Sequence, residues 1–168
     1  MDFIQHTINW CSGEIFEGKL LALWGLAILI VTFFFWKTGT TPFAKAIVIP
    51  LLVVGLLTVA SGASLVINNN KRIVTFQKEY QADKTAFIKS EKKRTDYFIK
   101  WYPWTMIIMG VIMLGGVVLM NVKGTPLPRA IALAMMLFSF SILFLDHFSE
   151  ERADVYHREI VKALQTIK

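Results

Sequence analysis

Hydrophobic positions along this chain fall into four long uncharged runs, residues 20–36, 46–67, 106–122 and 130–145. A short basic turn follows the first run, a long charged segment the second, and another short basic turn the third. Crossing about 30 Å of hydrocarbon at about 1.5 Å per residue takes about 20 helical residues. Ile15 and Phe16 can lengthen the first run, Trp104 and Thr105 the third, and Leu127 and Pro128 the fourth. In lipid, backbone polar groups must be satisfied within the segment, so each run predicts a helix. The expected fold is therefore an all-α membrane protein. Four transmembrane helices form two tandem hairpins, with amphipathic cytoplasmic helices after the second and fourth spans. The corresponding divisions are an interfacial N-terminal segment (1–18), a first hairpin (19–67), a cytoplasmic segment (68–101), a second hairpin (102–146) and a tail helix (147–168).

The polar segments carry their own periodicity. Asn68, Asn69 and Asn70 read as a helix break and cap. Beyond them Ile73, Phe76, Tyr80 and Phe87 recur at helical steps, predicting one amphipathic helix over 71–89 and a chain reversal within 90–95. The tail, 146–166, lacks Gly and Pro and predicts an unbroken continuation of the fourth span. Its apolar stripe, Tyr156, Ile160, Leu164 and Ile167, needs a partner: the 71–89 helix or a second copy of the chain. The N-terminal residues up to Ser12 read as a short interfacial helix, with Ser12 capping the first span. Pro42 and Pro128 suit helix starts, and Pro50 should kink the second span.

The two short turns resemble each other. Each starts on a lysine (Lys37, Lys123), carries Gly-Thr and proline, and ends on a basic residue before alanine (Lys45-Ala46, Arg129-Ala130). Lys45 and Arg129 stand 84 apart, half of the 168-residue chain. Either a tandem two-span unit was duplicated, or both turns need the same backbone angles.

Charge sets the expected orientation. With four spans, both termini and the 68–101 segment share one side, which holds 14 of the 18 Lys and Arg residues. The other side holds Lys37, Lys45, Lys123 and Arg129. The basic excess belongs in the cytoplasm, so the sequence predicts a bacterial-type inner (plasma) membrane with both termini inside. Trp10, Trp101, Tyr102 and Trp104 would mark the inner interface, and Phe33 to Trp36 the outer one. The net charge of +6 then serves attraction to an anionic leaflet rather than to nucleic acid. Cys11 is the single cysteine, which excludes an internal disulfide; it reads as a buried thiol or a surface acylation site.

Candidate chemistry lies on the inner side. Asp146, His147, Glu150, Glu151, Asp154 and His157 project within an arc of about 140° on a helix turning about 100° per residue. Asp154 and His157 have the i, i+3 carboxylate–imidazole spacing used for divalent metals in bundles, so Asp146, His147, Glu150, Asp154 and His157 form a candidate metal set. His6, Glu14, Glu17, Glu79 and Asp83 could complete it. The alternative is a solvated acidic face paired with basic residues. Glu14 and Glu17 would cap a helix starting near Ser12, or be partly buried if the first helix starts earlier. No apolar run contains an ionisable residue, and no nucleophile elbow, phosphate loop or zinc-protease helix is present. The leading expectation is a small inner-membrane protein acting by self-association or as an accessory subunit, without catalysis. The alternatives are a metal-binding or permeation protein using residues 146–157, and a lipid-acting interface enzyme.

Overall fold

The computed structural model describes residues 2–166. It is all-helical: α1 (Phe3–Thr38), α2 (Pro42–Ala46), α3 (Val48–Ala82), α4 (Lys84–Ile99), α5 (Tyr102–Met120) and α6 (Leu127–Thr166). Four segments are long and apolar enough to cross a membrane, and they form two hairpins. At about 1.5 Å per residue, α1, α3 and α6 are each more than 50 Å long, well beyond a bilayer core of about 30 Å. Their excess length projects together at the end that carries the termini. With α4 it builds a helical head. The 19 residues of α5 suffice only for the span.

The two hairpins pack differently. A Cβ on Gly25 would stand 2.7 Å from Val59 N, and one on Gly62 2.5 Å from Ala22 N. Missing side chains thus let the backbones of α1 and α3 approach closely, which is how membrane helices associate without a hydrophobic driving force. A second core at the turn end joins them to α6 through Ile28, Leu51, Val54, Ala130 and Ala134. In contrast, α5 packs chiefly on α6, and only Tyr102 and Gly116 of α5 are buried.

Several local expectations change. The helix α1 runs through Ser12 without interruption, so no cap forms there and Glu14 and Glu17 sit mid-helix. The three asparagines do not break α3. Asn69 and Asn70 donate to the carbonyls of Leu65 and Val66 one turn back, at 2.9 and 2.7 Å, and Asn68 to Ser64 Oγ. Satisfied in this way, the side chains stop competing with the helix. The break falls instead at Asp83, whose carboxylate caps α4 by accepting from Ala86 N at 2.9 Å. The helix α4 then runs straight through 90–95; the chain reverses once, at Asp83, and passes from α4 into α5 through Lys100 and Trp101, which keep helical backbone angles. Pro50 acts one turn upstream: its ring is incompatible with the carbonyl of Ala46, and the helix is interrupted at Ile47, separating α2 from α3. The second turn, 121–126, is longer than the first, 39–41, and holds Gly124 at φ 114°, a left-handed angle that favours glycine.

In the head, Phe3 and Trp10 of α1, Phe76 and Tyr80 of α3, Phe87 of α4 and Tyr156 of α6 form one core. Tyr156, Ile160 and Leu164 pack here, so the tail stripe has its partner within the chain; Ile167 lies outside the described residues. Trp10 is stacked between Phe98 and Tyr156 at 5.6 Å from each rather than at a lipid interface.

Candidate functional site

Two polar layers stack along α1 and α6, about two helical turns apart. The lower one, where the head meets the spans, is built from Glu14 and Glu17 of α1 and Ser149 and Arg152 of α6. Arg152 donates from Nη1 to Glu17 Oε1 at 2.6 Å and from Nη2 to Glu14 Oε1 at 3.1 Å. Ser149 Oγ donates to Glu14 Oε1 at 3.0 Å. Its single proton is thus engaged, so Tyr102 OH, 3.0 Å away, donates to Ser149. Gly13 makes the room: a Cβ there would stand 2.6 Å from Arg152 Nε. The side chains of Glu14 and Glu17 are 10% and 6% exposed, so the pairing is internal rather than a surface bridge. Glu17 Oε2, Asp146 Oδ2 and Arg152 Nε are buried without a hydrogen-bond partner among the described residues. Together with Asp146, the layer holds three carboxyls and one guanidinium.

The upper layer lies inside the head. Glu91, 2% exposed, receives a bidentate pair from Arg94 at 2.7 and 2.6 Å and a third bond from Tyr156 OH at 2.6 Å. Because Tyr156 donates to Glu91, Thr7 Oγ1 donates to Tyr156 across 2.9 Å. The Arg94 guanidinium stacks on Trp10, Phe76 and Phe98 at 4.6, 5.2 and 5.4 Å. Burial first, and the Glu91 charge second, hold the Tyr156 phenol far above its ordinary pKa, which keeps it a donor. Cys11 is fully buried here and burial pushes its thiol up to about 12, the environment of an inert thiol rather than an acylated one.

The helix geometry of α6 explains how the acidic arc is distributed. Relative to Asp146, the buried residues Ser149, Ala153, Tyr156 and Ile160 project at about 300°, 340°, 280° and 320°. The arc of acidic and histidine residues starts at the rim of that face and turns into solvent. Asp146 and Glu150 are half-buried, whereas His147 and Asp154 are exposed. His157 Nε2 reaches Asp96 Oδ1 of α4 at 2.9 Å, and Lys92 holds the same carboxylate at 2.6 Å. His6 stands 3.9 Å from Glu159. Among the described residues, no group of three or more His, Cys, Asp and Glu could hold a metal ion. The candidate residues thus divide between two helix-to-helix clasps, a solvated face and the buried Glu14–Glu17 layer.

Glu91, Arg94 and Thr7 were not singled out from the sequence, and Arg152 reads there only as a surface partner of the acidic face. Arg94 sits in the run Lys92-Lys93-Arg94, which reads as a solvated basic cluster. A usable signal existed in Tyr156: a tyrosine inside an apolar stripe needs a polar partner for its hydroxyl.

Beside the lower layer, a groove of about 520 Å³ opens laterally between α1 and α6. Phe16, Trp24, Phe140, Phe144 and Phe148 furnish aromatic walls, and Glu17 and Arg152 line it as well. Partway along, Trp24 Nε1 donates to Ser141 Oγ at 2.9 Å. Compared with protein-family models, curated proteins and solved structures, the chain gives no match.

Proposed function

We propose that this chain is a small integral protein of a bacterial-type inner membrane, termini in the cytoplasm, that acts without catalysis by associating with itself or with a membrane partner. The observation that carries the reading is Gly110, in the middle of α5. A Cβ built there meets nothing within 4 Å among the described residues, whereas Gly25, Gly55, Gly62 and Gly116 all have a neighbour that fills the room. Glycine inside a helix costs about 1 kcal/mol relative to alanine. In membranes that cost is offset where a second backbone comes close. A helix from outside the chain is the occupant that this site suits. The excess of Lys and Arg on the termini side supports the orientation.

The test is cross-linking in native membranes with G110L. Wild type should give a dimer or a defined hetero-complex. G110L should lose it without lowering the melting temperature of the monomer, because the added Cβ meets nothing within 4 Å among the described residues. Only monomers in wild type, with no copurifying protein, would refute the reading.

A further inference from the structure

The groove between α1 and α6 has an end chemistry that its apolar walls do not require. Glu17 is 4% exposed, yet its Oε2 has no donor among the described residues. Buried carboxylate oxygens normally accept hydrogen bonds, and one left open is costly. The only cation of the layer, Arg152, is already divided between Glu14 and Glu17, and Asp146 adds a third carboxyl nearby. Against one unpaired buried donor, Arg152 Nε, stand two unpaired acceptors, Glu17 Oε2 and Asp146 Oδ2, so the site has an excess of acceptors and of negative charge. It opens beside rings of Phe144 and Phe148, whose faces attract cations. At about 520 Å³ the groove is within the usual range for small-ligand sites and suits one apolar chain rather than the two of a phospholipid.

The geometry points to a binding site for a single-chain amphiphilic amine, its chain in the aromatic groove and its protonated head at the Glu17 carboxylate, whose covered Oε2 must turn toward the groove to accept an N–H. An anionic headgroup is disfavoured by Glu14, Glu17 and Asp146. A quaternary ammonium offers charge without a donor. Phosphatidylethanolamine shares the amine but brings a phosphate and a second chain. This site is separate from the Gly110 face of α5 and does not depend on the association reading.

The experiment is calorimetric titration of the full chain in phosphatidylcholine nanodiscs, which supply no N–H donor. Dodecylamine should bind saturably, one per chain. Dodecyltrimethylammonium should bind more weakly by roughly tenfold, as expected for one lost hydrogen bond to a charged group, and dodecanoate should not bind saturably. E17Q should cost dodecylamine a similar roughly tenfold factor, because Gln Oε1 can still accept from Arg152 and preserve the fold. The double variant F144L/F148L removes the rings but keeps apolar walls, so a severalfold loss there tests the groove independently of Glu17. Non-saturable partitioning in every case, equal affinity for dodecylamine and dodecanoate, or unchanged affinity in E17Q would each overturn the assignment. So would complete loss of amine binding in phosphatidylethanolamine nanodiscs, which would make the two-chain lipid the occupant.

Discussion

Arg94→Met should expose how much of the head depends on one buried ion pair. Glu91 is 2% exposed and takes two of its three hydrogen bonds from Arg94. Removing the guanidinium leaves the carboxylate with Tyr156 as its remaining donor. Breaking a buried pair from one side typically costs about 3–5 kcal/mol. Uptake of a proton caps that penalty: neutralising an ordinary glutamate at pH 7 costs about 3.7 kcal/mol. The loss of Arg94 stacking on Trp10, Phe76 and Phe98 adds about 1 kcal/mol, part of which the methionine recovers. The expected deficit at pH 7 is about 4 kcal/mol, a large fraction of the stability of an ordinary domain. Its pH dependence is diagnostic. Toward pH 5 protonation costs less, so R94M should regain ground on wild type as pH falls. Arg94→Lys keeps the charge but loses the fork and the stacking, and should fall between the two. The assay is urea unfolding of the head in nanodiscs, followed by fluorescence of Trp10 in a background with the other four tryptophans replaced by phenylalanine. A deficit below about 1 kcal/mol, or one independent of pH, would refute the claim that the Glu91 charge is held by Arg94.

Other outcomes follow from the same geometry. Arg152→Met leaves Glu14 and Glu17 facing each other without a cation and should cost about 3–5 kcal/mol, with R152M/E14Q/E17Q recovering much of it; thermal melts in nanodiscs compare the two. Gly62→Ala places a Cβ 2.5 Å from Ala22 N and should cost about 1–3 kcal/mol by forcing α1 and α3 apart. Gly115→Ala, whose Cβ meets only Met135 Cε at 3.8 Å, should be neutral or slightly stabilising in the same melts. Asp96 is held below its ordinary value of 3.8, first by Lys92 and then by His157. A depressed carboxyl contributes stability above its unfolded pKa and loses it as pH falls through the folded one. Amide exchange should therefore show α4 loosening from α6 below about pH 4, and Asp96→Asn should abolish that step.

The spans were legible because their physics is local. A run of apolar residues without charge belongs in oil whatever it packs against, and four such runs define two hairpins. The unbroken tail helix was equally readable, since nothing between Asp146 and Thr166 stops a helix. Local signals misled where tertiary contacts outweighed them. The asparagine run resembles a cap, yet its side chains bond back to their own helix and α3 continues. Trp10 resembles an interface anchor, yet α4 and α6 close over it. The site shows the same division. The composition of α6 announced an acidic face, but not that only its rim would meet another helix. Which carboxylates are buried depends on α1 beginning at Phe3 and on α4 lying against α6. Those placements bring residues 135 and 65 positions apart into hydrogen-bond range, as in Arg152–Glu17 and Tyr156–Glu91. Periodicity reports which face of a helix seeks cover; only the packed structure decides what covers it, and so which charges lose water and need one another.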